Sequence, residues 1–140
     1  MDELRNKSEI NIQSAQLLMD NTYYAPSIHC SYYSVLQLMK FTVNHSLNTS
    51  YENQEKEINQ LKQDRVSAKG THEYLIFKIG EKIREIKKQE YSDFTRKIKD
   101  LKNWRIKGDY DTIAITFDQS RKAFGLADEL RKQLKNTFKV

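Results

Sequence analysis

The chain has one proline and four glycines in 140 residues, too few turn-forming residues for a sandwich or barrel of many short strands. Its single cysteine, Cys30, excludes an internal disulfide. It lies in an apolar helical run, as a buried, inert thiol does. No window reaches the roughly 18 consecutive apolar residues of a membrane span. Met1-Asp2-Glu3-Leu4-Arg5-Asn6-Lys7 lacks the apolar core of a signal peptide, so a cytoplasmic location is expected. Zinc-ligand spacing, a glycine-rich phosphate loop and a Gly-x-Ser-x-Gly elbow are all missing. Neither a metal nor a cofactor is expected.

What remains is 38% hydrophobic and 31% charged, the balance of an all-α chain with long solvated helix faces. The length suits one domain, residues 1–140, with a core that needs no staples. The net charge of +5 is unevenly placed: Lys78 to Lys107 carries eleven Lys or Arg against five Asp or Glu. Such a segment is either a footprint for phosphate backbones or a solvated face whose charges pair locally.

Helical periodicity predicts five or six helices packed as an up-and-down bundle. A first helix over Asp2 to Asp20 carries Ile10, Ile12, Ala15, Leu17, Leu18 and Met19 as its stripe. Asn21-Thr22 ends it. Pro26 falls in the first turn of a second helix, Tyr24 to Val43, with Ile28, Tyr32, Val35, Leu36, Met39 and Phe41 inward. The short connection predicts an antiparallel hairpin. Thr49 with Glu52 reads as a capping box for a charged helix from Tyr51 to Asp64. Thr71 is the expected cap of a fourth helix reaching Ile83, and Ser92 of a fifth bearing Phe94, Ile98, Leu101 and Trp104. Gly108 and Asp109 are expected to break that helix. Thr116 with Gln119 is a second capping box, opening a last helix with Phe117, Ala123, Phe124, Ala127, Leu130, Leu134 and Phe138 on one face.

Three pieces of this pattern, together spanning about Ile10 to Leu134, carry a resemblance. The first is the hairpin with Ala15, Leu18, Tyr23, Ala25, Tyr32, Tyr33 and Ser34. Gly70-Thr71-His72-Glu73, a helix opening with His, is the second. The third is Trp104-Arg105-Ile106-Lys107-Gly108-Asp109-Tyr110-Asp111, similar to an Arg-x-x-x-Asp-Tyr turn before a final Ala-rich helix. In these the chain resembles the HEPN family, helical domains named for higher eukaryotes and prokaryotes nucleotide-binding. The same tyrosines would also serve an unrelated bundle as core.

The resemblance implies one of two things. Toxin-like members are metal-independent ribonucleases, often paired with a nucleotidyltransferase antitoxin. In them an Arg and a His four to six residues apart face one groove of a homodimer; other members bind or scaffold without the pair. Here Arg105 stands where that Arg is expected, and no His follows it, so the pair is incomplete in sequence. The expectation is therefore a nucleotide- or nucleic-acid-binding protein, one half of a toxin–antitoxin or defence pair. An active ribonuclease and a protein-interaction module docking through the Tyr51–Asp64 helix are the alternatives.

The catalytic candidates are Arg105, His72 and Arg65, the last two formally spaced as Arg and His. Binding candidates are Arg105, Tyr110, Asp109, Lys102 and Lys107, with Asp109 and Tyr110 read as shaping the turn. Tyr91 and Tyr110 are the aromatic rings expected at the surface to stack on bases. His29 and His45 are set aside, because His29 and Cys30, being adjacent, point to different helix faces.

Overall fold

A computed structural model describes residues 2–64 and 70–140. Among them the chain is all-helical. The six helices are α1 (Glu3–Asp20), α2 (Tyr24–Ser46), α3 (Tyr51–Gln63), α4 (Thr71–Ile86), α5 (Lys88–Tyr110) and α6 (Phe117–Phe138). None is long and apolar enough to cross a membrane.

The bundle is organised around α2, which packs against α1, α4, α5 and α6. Ile28, Tyr32, Val35, Leu36, Leu38, Met39, Phe41 and Val43 bury in all directions around it. The other helices return Leu75, Ile79 and Ile83, then Phe94, Ile98 and Leu101, then Leu130 and Leu134. A helix apolar on most of its circumference needs neighbours on every side, and that requirement puts α2 at the centre.

α1 lies antiparallel to α2 through a seam of small residues. Ser8 Oγ donates to the Ser34 carbonyl at 2.6 Å, and Ser27 Oγ to the Ala15 carbonyl at 2.7 Å. These pairings run in opposite senses along the two helices. Close approach excludes large side chains from the seam, so Ile10 and Leu17, expected in the stripe, stand 59% and 64% exposed. Arg131 of α6 closes the far side. Its guanidinium donates to Ser8 Oγ and, at 2.6 Å, to Glu9 Oε1, which also accepts from Lys135 Nζ at 2.8 Å.

Asn21-Thr22 does end α1, by a defined motif. The Tyr23 amide donates to the Leu18 carbonyl at 2.8 Å and the Thr22 amide to that of Met19 at 3.1 Å, with Thr22 at φ 68°. This is a Schellman ending with threonine where glycine is usual.

Several boundaries differ from the sequence reading. α2 runs on to Ser46. Asn48 turns at φ 54°, Thr49 Oγ1 donates back to Leu47, and Ser50, one residue later, caps α3 at the Asn53 amide. α4 has Gly70, not Thr71, as its N-cap, and no side chain caps it. α5 begins at Lys88 rather than Ser92, across a single-residue joint at Lys87, and continues through Gly108 and Asp109. Gly108 is no breaker because this stretch of α5 lies on α2, with Ala25 and Ile28 in contact range of a side chain placed there. The Thr116–Gln119 capping box is present with both of its bonds.

Candidate functional site

α5 places Lys102, Arg105 and Asp109 on one face, at the three- and four-residue spacing of neighbouring turns. That face meets the row His29, Tyr32 and Tyr33 of α2 and the first turn of α4. The three helices converge on Tyr32, whose ring is fully buried. Its hydroxyl lies 3.0 Å from His72 Nδ1. The Arg105 guanidinium covers its face, 5.1 Å from the centroid. His72 and Arg105, 33 positions apart in sequence, therefore lean on one side chain.

Burial pushes the Tyr32 phenol up to about 12, against the opposing pull of Arg105. The phenol stays protonated at neutral pH. The phenol and His72 Nδ1 share one hydrogen bond, whose direction follows the imidazole tautomer. Burial first, then the charges of Arg105 and Lys102, press the His72 pKa below its ordinary 6.5; Glu73 opposes them. His72 at neutral pH is thus an uncharged donor beside two cations.

These groups line a cleft of about 410 Å³ bounded by Gly70, Thr71, His72, Glu73, Lys102 and Arg105. Lys102 is ion-paired to Glu73 at its rim. Gly70, the N-cap of α4, makes no side-chain cap bond, and a helix N-terminus carries partial positive charge. Arg105 Nη1 lies 3.5 Å from Asp109 Oδ2, while its buried Nε has no hydrogen-bond partner among the described residues.

On the other side of Arg105 lies His29. Its Nδ1 is 3.2 Å and 3.3 Å from the two oxygens of Asp109. A carboxylate only accepts, so Nδ1 bears a proton directed at Asp109. The His29 ring packs on Tyr33 at 4.6 Å between centroids, and Tyr33 meets His72 edge-on at 5.7 Å. A continuous polar strip results: His29, Asp109, Arg105, Tyr32, His72.

No family model, curated protein or solved structure matches the chain.

Of the residues expected from sequence, the fold brings together Arg105, His72, Lys102 and Asp109. It separates off Lys107, which covers the Trp104 ring at 5.5 Å in the groove between α5 and α6. Tyr110 is 73% exposed at the end of α5. Arg65 lies outside the described residues. Asp109 does not shape a turn: it is helical, and the turn that follows is held by Asp111, whose Oδ1 accepts from the Ile113 amide. Tyr91 is not at the surface but half-buried against the core, under Arg84. Seven of the eleven basic side chains of this segment are ion-paired, five of them with a carboxylate three or four residues away, as in Arg96 and Lys97 with Asp93.

Sequence reasoning set aside His29 and read Tyr32 as core alone. Their signal was the interval of three or four residues from His29 to Tyr32 and Tyr33, matched by that from Arg105 to Asp109. It becomes readable only when Gly108 is taken as helical. Among the described residues no group of three His, Cys, Asp or Glu could hold a metal ion.

Proposed function

We propose that this chain is a HEPN-like protein that binds RNA or a nucleotide through a phosphate group seated in the cleft between α4 and α5. The observation that carries this reading is the meeting of His72 and Arg105 on the buried ring of Tyr32. A phosphate there would accept from the guanidinium and from His72, at the positive N-terminal end of α4, with Lys102 at the rim. Charge-assisted bonds of this kind are the strong ones, and helix N-termini favour anions. The resemblance described above supports the same ligand class, and it alone supports a homodimer and a nucleotidyltransferase partner.

The test is binding of a fluorescently labelled single-stranded RNA, followed by anisotropy at two salt concentrations, with ATP as competitor. Wild-type protein is expected to bind, more weakly at high salt. Arg105→Ala and Lys102→Ala should each weaken binding about tenfold or more, in line with the 1.5–3 kcal/mol of a hydrogen bond to a charged group. Equal affinity in wild type and Arg105→Ala would move the site elsewhere. Absence of binding to RNA and ATP alike would end the reading.

A further inference from the structure

α5 borders a second groove, which shares no residue with the phosphate seat. Here α5 runs antiparallel to α6, with the Lys97–Glu129 ion pair at 3.1 Å near one end and the short link from Tyr110 to Phe117 at the other. The groove holds about 690 Å³, within the range of pockets for small molecules. Trp104, Gly125 and Leu126 lie at its middle. Gly125 sits inside α6, where glycine costs stability relative to alanine. No packing requires it, because a side chain begun there would meet nothing within 4 Å. The missing side chain leaves space in the groove.

Charge is sorted along this groove. At one end Asp100 and Glu129 are already held by Arg96 and Lys97. At the other stand Lys107, Arg121 and Lys122, paired only through Asp118, which the last two share. Lys107 is in no ion pair among the described residues, and its ammonium rests over the Trp104 ring at 5.5 Å from the centroid. At an exposed site a cation–π contact is a weak hold, so this charge is free to turn to an incoming anion. We infer that the groove between α5 and α6 binds an aromatic anion, with its ring over Gly125 against Trp104 and its acidic head among Lys107, Arg121 and Lys122. As Lys107 moves to the head, the ligand ring takes over the indole surface that the ammonium covered. The apolar middle alone would admit any greasy molecule, and the cations alone any anion; together they select both features on one molecule. A carboxylate or a phosphate head suits the same cations, so aromatic carboxylates and nucleoside monophosphates are the two sources of this chemistry. The inference does not rest on the phosphate seat and outlives its failure.

Trp104 is the only tryptophan of the chain, so its indole N–H gives one cross-peak in a nitrogen–proton correlation spectrum. The full chain is titrated with naphthoate and, separately, with adenosine monophosphate; acetate and inorganic phosphate serve as heads without a ring. Because adenosine monophosphate can also reach the phosphate seat, each titration is repeated in Arg105→Ala. At least one ringed probe should shift the indole peak saturably in both proteins, and the probe that does so names the head group. Acetate and phosphate should leave the peak in place. Gly125→Leu fills the groove and should weaken binding about tenfold or more while raising the thermal midpoint by roughly 3 °C, since leucine is the better helix former. Lys107→Ala, a surface change that needs no room, should weaken binding about fivefold, the upper end for an exposed ion pair. An indole peak unmoved by both ringed probes overturns the inference. So does a saturable shift with acetate or phosphate alone, equal affinity in Gly125→Leu, or a shift that vanishes in Arg105→Ala, which would assign the binding to the phosphate seat.

Discussion

His72 and His29 are the same residue type within one polar strip, yet their surroundings differ. A phenol faces Nδ1 of the first and a carboxylate Nδ1 of the second. His72, pressed down by burial and by Arg105 and Lys102, is expected to titrate below 6.5 when followed by NMR. Replacing Arg105 with Gln removes one of the two charges and should raise that midpoint. A wild-type midpoint above 6.5 would contradict the buried position of the ring. Tyr32→Phe deletes the hydroxyl that bonds His72 Nδ1 and should cost about 1 kcal/mol in urea denaturation, the net worth of a typical hydrogen bond.

At the scale of the element, two endings were legible in the sequence because their causes are local. Thr116 and Gln119 satisfy each other's amides whatever the rest of the molecule does, so the box was readable in advance. Asn21-Thr22 was readable as a break for the same reason. Threonine at φ 68° is nevertheless strained, since a β-branched side chain crowds the left-handed region. Thr22→Gly should therefore stabilise the protein by about 1 kcal/mol, the left-handed penalty being larger than the freedom glycine loses. Thermal unfolding would register this as a rise of roughly 3 °C; a fall would mean that the Thr22 side chain contributes a contact of its own. Gly108 shows where local rules stop. Glycine usually ends helices, but here α5 continues because α2 lies against it, and no pattern within residues 104–111 records that neighbour. The His72–Arg105 meeting was hidden for a similar reason: two helix faces had to be assigned before either residue pointed at the other.

The molecule as a whole is held by two polar junctions on opposite flanks of α2, the site on one and the Arg131 network on the other. The second joins α1, α2 and α6 through a guanidinium only 4% exposed. Arg131→Met removes one donor from Glu9, which keeps Lys135, and one from Ser8 Oγ, which still donates to the Ser34 carbonyl; it should cost about 1–2 kcal/mol, the scale of the hydrogen bonds lost. Burial alone would raise the Glu9 pKa, but Lys135 and Arg131 together hold it below its ordinary 4.5. A depressed carboxylate stabilises fully above its unfolded value and less as pH falls through the folded one. The wild-type protein should accordingly lose stability below about pH 4.5 more steeply than Glu9→Gln, as measured by urea midpoints across the acid range.

The central place of α2 reaches further than packing. Tyr32 and His29 belong to the helix whose amides are most enclosed by other elements. Amides in such a position exchange with solvent only when the entire chain opens. The α2 side of the strip therefore has no private route to disorder, unlike a site carried on a loop. In denaturant, loss of ligand binding and loss of helical circular dichroism should follow one curve with one midpoint.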